Sequence, residues 1–358
     1  MGLFKIYFHI LANIFFNLIL IYLKIQKGTI NMAIVKRKEI LRWILDNIAW
    51  FILLAMLIIF SFTVRGFAQW PIYRNILYHS VFIGILAIAE AICILSKEMD
   101  LSVESVLALS AVVTAYLAGI GPDASGLHLN APITLIIVLL MGAGIGLFNS
   151  YFIVKMKISS FIVTLAGYLI FRAVGLVITK GHGVVNISKD IVAIARTNIG
   201  PVPLMIIILI FMYVIFSLFL SRTQFGRYIY FVGDNREASY NAGIKVDRVL
   251  VIVFIISGIL SALAGWLLAA RTNGSSPSLG QGILFEAMAA VVIGGVSLQG
   301  GIGRLSGVFA GAIILSCIST VVSIVGINPY YMNIIRGGMI IVAVILDAII
   351  RKIRPRLI

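Results

Sequence analysis

A chain of 358 residues that is 61% hydrophobic and only 11% charged has too little polar surface to face water, since soluble domains carry about 25% charged residues. The formal charge of +15 does not build a nucleic-acid surface, because the Lys and Arg residues sit between apolar runs and form no continuous basic face. Cys93 and Cys317 stand singly in apolar stretches, without metal-type or redox spacing.

In chain order, residues 4–23 are apolar enough to span a membrane, and Lys24 and Lys27 would hold their far end inside. No small-residue cleavage site follows, which argues against a signal peptide. Residues 1–31 are therefore either an extra hydrophobic helix or a segment upstream of the true start. The second reading is favoured, because Met32 closely precedes the basic segment 36–42. Spans are then predicted over 45–64, 74–96, 101–120, 131–154, 159–179, 202–220, 248–270, 283–298, 304–325 and 333–350. Charge-free cores such as 51–64, 133–147, 202–220 and 249–270, extended by their flanks, match a hydrocarbon layer that needs about 20 helical residues. Helices satisfy their own backbone in lipid, and the alternating ten-residue pattern of a membrane β-barrel is absent. The expected fold is all-α: a polytopic membrane bundle of about ten transmembrane helices forming one domain over 32–358.

An even count with both termini inside places Lys24, Lys27, Lys36, Arg37, Lys38, Arg42, Lys97, Lys155, Lys157, Arg222, Arg227, Arg236, Lys245, Arg248, Arg304, Arg351, Lys352, Arg354 and Arg356 in the cytoplasm, 19 of the 28 basic residues. The inverse orientation would put the larger cluster outside, against the positive-inside bias. The longest polar connections are 180–201, expected outside, and 221–247, expected inside. Asp347 and Arg351, four residues apart, read as a helix-surface pair.

The inner loop, SRTQFGRYIYFVGDNREASYNAGIKVD over 221–247, reads as a short helix. Asp234 can cap its start with Glu237 three residues on, a capping-box arrangement, and Gly243 can supply a left-handed stop. Ala238 and Ala242 fall on one face, where another surface could approach closely. About two turns of helix are not stable alone. An ordinary surface loop and a docking element for a cytoplasmic partner fit these residues equally well.

Ordered segments carry a family resemblance. Glu237-Ala238-Ser239 followed by Gly243 resembles the EAA-type loop of ATP-binding-cassette importer permeases. Phe225-Gly226-Arg227 through Asp247-Arg248 resembles the ribose/xylose/galactoside branch in particular. Asp100-Leu101-Ser102-Val103 with Ser105-Val106 is similar to that branch's DLSVGS run, residues 159–165 to its PSFIVTL run, and 289–301 to its AAVVIGG-x-SL-x-GG run. The matches cover about residues 100–301. Glu104 departs from a usual Gly, Ser159 from a usual Pro, and Lys97-Glu98 from a frequent Gly-Gly. The branched-chain amino acid permeases look like more distant relatives.

The resemblance implies a permease subunit in the plasma (inner) membrane, not an enzyme. It also implies a second permease subunit, a cytoplasmic ATPase and an extracytoplasmic binding protein that selects a monosaccharide or related small polar solute. Asp234, Asn235, Arg236, Glu237, Ala238, Ser239 and Gly243 would form the ATPase-coupling loop. ATP and magnesium would sit on the ATPase, because this chain lacks the Gly-Lys-Ser/Thr of a P-loop and so binds no cofactor itself. The Gly-rich stretch Gly294–Gly307, like Gly142, Gly144 and Gly146, instead suits tight turns and close helix packing.

Acids inside spans cost roughly 2.5–3.5 kcal/mol on insertion scales, so they face protein or water. Glu90, Asp100, Glu104 and Glu286, with Ser102 beside them and Arg172 as the expected cation, are candidates for a polar pathway or gate. The competing reading is a set of internal ion pairs that fix helix register. The rival functions are an ion-coupled secondary transporter, which would use the same acids without an ATPase, and a permease for a different solute such as branched-chain amino acids. Scattered His9, His79, His128 and His182 give no support to a membrane-embedded enzyme.

Overall fold

Apolar residues surround most of the predicted spans without a polar stripe, so propensity and burial agree on helix, and lipid leaves the backbone no other partner. The computed structural model describes residues 43, 47–121, 123–276, 278–326, 328 and 331–353, with 332, 333, 340, 343, 346, 347 and 349–353 in backbone only. Residues 1–31 and the Asp347–Arg351 pair therefore lie outside the described residues and side chains. Every predicted span has a helix: α1 (Ile48–Thr63), α2 (Trp70–Leu95), α3 (Val103–Ala118), α4 (Ala131–Ser150), α5 (Ser160–Thr179), α7 (Leu204–Arg222), α10 (Val246–Thr272), α11 (Ile283–Ile293), α12 (Leu305–Ile324) and α13 (Tyr331–Ile353). Among the described residues, six of these (α2, α4 with the π-helical turn Tyr151–Lys155 that continues it, α5, α7, α10 and α12) are long and apolar enough to cross a membrane. The apolar helices α1, α3 and α11 are shorter. The fold is a polytopic helical membrane bundle.

Two amphipathic helices lie between spans: α6 (Lys189–Arg196) and α8 (Gln224–Asp234). They are followed in the second case by the short α9 (Arg236–Asn241). The connections alternate between two ends of the bundle. At one end β1 (Val184–Val185) pairs antiparallel with β4 (Gly274–Ser275), and β2 (Asn198–Ile199) with β3 (Val202–Pro203). These short pairs lie in, or at the edge of, connections where the sequence predicts no regular structure.

At the same end Asp190 ties α6 to the start of α4. Its carboxylate accepts from the Ala131 N–H, the Ser188 hydroxyl and the Ile191 N–H. Burial works to raise the Asp190 carboxyl, but these bonds outweigh it and hold the group below the usual carboxylate range. At the opposite end converge 96–102, 155–159, 222–246 and 294–304, which bring Lys97, Lys157, Arg227, Arg236, Lys245 and Arg304 to the face expected to be cytoplasmic.

The interior is built from α2, α3, α10, α11 and α12. Ile83, Leu86, Ile88, Leu107, Val253 and Leu267 are fully buried there. By contrast α4, α5 and α7 expose Leu140, Leu169, Val177 and Phe211, as lipid-facing helices do. Backbones meet where side chains are small. A Cβ on Gly142 would stand 2.3 Å from the Gly258 carbonyl of α10, and one on Gly146 would stand 2.2 Å from that of Phe254. Gly144, grouped with them in the sequence reading, faces nothing within 4 Å. One helical position separates it from the seam on either side, so it points the other way.

Candidate functional site

Two inner turns support the site. The first, 96–102, ends α2 in a left-handed stop: Lys97 has φ 64, Glu98 N–H reaches Cys93 O at 3.0 Å and Lys97 N–H reaches Ile94 O at 2.9 Å. The chain is then held by side chains. Thr164 Oγ1 accepts from Leu101 N–H at 3.1 Å, and Ser160 Oγ accepts from Met99 N–H at 3.4 Å, both from α5. Asp100 Oδ1 accepts from Ser102 N–H (3.0 Å) and Oγ (2.5 Å), while Oδ2 accepts from Ser257 Oγ on α10 at 2.7 Å. Asn149 Nδ2 of α4 donates to Ser102 Oγ at 3.0 Å. Asp100 is thus held by hydroxyls and an N–H, with no cation paired to it among the described residues.

The second turn, 294–304, is held by backbone. Gly295, Gly300, Gly301 and Gly303 all have positive φ. Ser297 N–H bonds Ile302 O at 2.9 Å, and Gly301 N–H bonds Leu95 O, at the end of α2 just before the first turn, at 2.9 Å.

Helix α8 lies against both turns. Gly233 is so close that a Cβ there would stand 1.8 Å from Leu95 O and 2.8 Å from Gly301 N. Tyr230 donates to Gly303 O at 3.1 Å. Burial pushes its phenol up, with the Arg304 charge acting in the other direction.

Helix α9 follows at once. Its cap is Asn235, whose Oδ1 accepts from Ala238 N–H at 2.9 Å, and not Asp234. Apolar packing carries α8 through Asp234, so the chain is first free to adopt a capping conformation one residue later, and the expected capping box does not form. Gly243 does stop the helix, at φ 82, with Ile244 N–H on Ser239 O at 3.0 Å. Ser239 is buried, whereas Glu237, Ala238, Tyr240 and Ala242 are exposed. The first residue of α9, Arg236, reaches the buried Glu98 at 2.5 Å. An open groove of about 820 Å³ runs beside this contact, lined by Lys157, Asp234, Glu237 and Asp247 among others.

A second cluster lies deeper. Glu104, in the first turn of α3, is 1% exposed. Its Oε2 accepts the N–H groups of Gly282 (3.0 Å) and Leu284 (3.2 Å) at the start of α11, where a helix N-terminus favours negative charge. Its Oε1 faces Tyr168 Oη (3.4 Å) and Arg172 (3.5 Å) on α5. Arg172 also donates to Leu279 O at 3.3 Å. Arg336 of α13 holds Glu286 at 2.7 Å and Gln281 O at 3.4 Å. Two arginines and one glutamate therefore grip the turn 279–282, in which Gly280 and Gly282 take positive φ.

Since α11 has 11 residues, about 16 Å at 1.5 Å each, it covers roughly half of a ~30 Å layer. The segment before it, which includes Ser276, Ser278 and Gln281, continues inward as irregular chain against Leu107 and Leu268. Non-helical backbone at such depth occurs where it is buried in protein or lines water.

Among the sequence candidates, Asp100, Ser102 and Glu104 lie along one stretch, and Glu104 and Arg172 meet. Glu286 belongs to the same cluster through Arg336. Glu90 stands apart: it is fully buried on α2, near Asp100, with neither carboxylate oxygen hydrogen-bonded among the described residues. Sequence reasoning missed Glu98, Ser257, Asn149, Tyr168 and Arg336. Arg336 was legible only as one charge near an apolar run, and the hydroxyl and amide residues only as interruptions of apolar segments.

Residues 72–344 match the family described as branched-chain amino acid transport system / permease component. The chain is 32% identical over 311 residues to the ribose import permease protein of Escherichia coli, covering 85% of this chain and 94% of that one. It is 34% identical over 270 residues to the D-allose transport system permease protein of E. coli (75% and 80% covered). To the xylose transport system permease protein of Haemophilus influenzae it is 31% identical over 342 residues (78% and 89% covered). No solved structure matches.

Proposed function

The chain belongs to the branched-chain amino acid transport system / permease component family, and from that premise we propose that it is the membrane permease subunit of an ATP-driven importer for a monosaccharide or related small polar solute. The observation that carries this reading is similarity, over 75–85% of the chain, to permeases named for ribose, allose and xylose. The geometry fits it. The α9 helix offers a short, exposed, small-residue face at the basic end of the bundle, suited to a cytoplasmic ATPase that would bring the ATP and magnesium. The opposite end carries an open groove of about 630 Å³ lined by Lys189, Arg196, Asn186 and Asn273, where an extracytoplasmic binding protein would hand over its solute. A second permease subunit would complete the pathway. Within this chain Glu104, Arg172, Glu286 and the hydroxyl-rich segment before α11 would line or gate that pathway, and Asp100 and Ser102 would brace it.

Glu104 and Glu286 are each paired with an arginine, so neither is a free acid on which a carrier could cycle protons. The test is uptake into vesicles holding the complete complex. Ribose, allose or xylose should accumulate only with ATP inside and the binding protein outside. Accumulation driven by an ion gradient without ATP would overturn the reading, and uptake of leucine in place of any sugar would overturn the solute class.

A further inference from the structure

We infer that residues 98–104 form a mechanical link between α9 and the start of α11, with Glu98 and Glu104 as the positioning residues at its two ends. The inference rests on the proposed role of α9 as the ATPase-facing helix. At one end the buried Glu98 carboxylate holds Arg236 at 2.5 Å, and Arg236 is the first residue of α9. A shift of α9 thus displaces the residue from which the link departs. At the other end Glu104 holds the first N–H groups of α11. Between the two the chain is neither slack nor free, because the bonds from Ser160, Thr164, Asn149 and Ser257 bind it to α5, α4 and α10. A stretch so tied moves as a piece or not at all. These bonds are short side-chain contacts that can exchange partners, unlike the glycine-packed seams beside them.

What the link would bias is the turn 279–282. Its conformation depends on left-handed Gly280 and Gly282, and three side chains, Glu104, Arg172 and Arg336, hold it from outside. Withdrawal of Glu104 would leave two N–H groups at the start of α11 unpaired, and they would be satisfied only by water or solute entering there. The link therefore joins a change at the cytoplasmic face to hydration of the segment before α11. Coupling between sites is set by such differential contacts in two states of one element, commonly 1–3 kcal/mol or about 5–150-fold.

The test uses the complete transporter in vesicles and reads two quantities. The first is solute moved per ATP hydrolysed. Glu98→Gln and Glu104→Gln should each lower this ratio by about tenfold or more while the ATPase stays bound and hydrolyses ATP. Exchanging the charges (Glu98→Arg with Arg236→Glu) should restore much of the Glu98→Gln loss. The second is the thiol-labelling rate of a Ser278→Cys reporter. It should change on adding ATP when Glu98 and Glu104 are intact, and should become ATP-independent in either variant. If Glu104→Gln fails to fold, Glu98→Gln and the charge exchange decide, because that pair lies at the end of the bundle with Arg236 partly exposed.

An unchanged ratio with ATP-responsive labelling in Glu98→Gln would overturn the link, as would a charge exchange no better than the single variant. Absence of ATP-dependent uptake and labelling in the unaltered protein would instead overturn the proposed function.

Discussion

The two inner turns perform the same geometric task by opposite means. Each reverses the chain between an inward and an outward helix, and each lies under α8. The turn 294–304 does so chiefly with backbone, through four glycines of positive φ and direct contact with Leu95 O, with the Tyr230 hydroxyl added on Gly303 O. The turn 96–102 relies far more on side chains: after a lysine in left-handed backbone come the Met99 and Leu101 amides on Ser160 and Thr164, and an aspartate held by the hydroxyls of Ser102 and Ser257. Contact between backbones admits almost no adjustment, whereas hydroxyl and carboxylate bonds can be remade. One turn is suited to serve as a fixed seat and the other to move.

The strongest way to break this contrast is to attack the seat. Gly233→Ala places a methyl group 1.8 Å from Leu95 O and close to Gly301 N, and neither backbone can yield without lifting α8. A loss of about 3 kcal/mol or more is expected, read as a collapse in folded yield and melting temperature in detergent. Next comes the side-chain turn. Ser257→Ala removes the hydroxyl that bonds Asp100 at 2.7 Å and leaves a buried carboxyl oxygen without that donor, at a cost of about 1–3 kcal/mol. Melting temperature should fall, but the protein should still fold, because the remaining donors from Ser102 stay in place.

Lys97→Gly has the opposite sign. Replacing a left-handed lysine at φ 64 should stabilise by about 1 kcal/mol, making the first turn resemble the second; a thermal melt decides it. The smallest effect lies at the far end of the bundle. Asp190 is held below its ordinary range, so its stabilisation is complete above the unfolded value of about 3.9 and is lost as pH falls through the lower folded value. Acid titration of Asp190→Asn against the parent should show the two proteins converging only below that pH, with both inner turns unaffected.

Much of this arrangement was legible beforehand because lipid makes apolarity nearly decisive. The charge-free runs located the helices, and many of the Lys and Arg between them gather at one end of the bundle. Gly243 announced its left-handed stop because few other residues can adopt it. Other features depended on contacts that no local pattern reveals. The sequence places an apolar run over 283–298 and a tight turn somewhere in Gly294–Gly307, but not the end of α11 at Ile293, which depends on Gly294 packing against Gly307 and Val308. Asp234 and Asn235 are both competent caps, and the packing of α8 chose between them. Arg172 was expected to meet an acid, yet which acid depended on how α3 crosses α5. The pairing of Glu286 with Arg336 joins helices 50 residues apart in the chain.

That last pair bears on how the protein is made. An apolar stretch of 11 residues carrying Glu286 is too short and too polar to partition into a bilayer unaided. During synthesis α11 emerges before its cation exists. The acid gains Arg336 only after α12 has been laid down and α13 has begun. The translocation machinery must therefore either retain α11 at the membrane surface or shelter it until the next two helices arrive. On that account α11, α12 and α13 are expected to enter as one cooperative unit, with the topology of this half of the chain settled late.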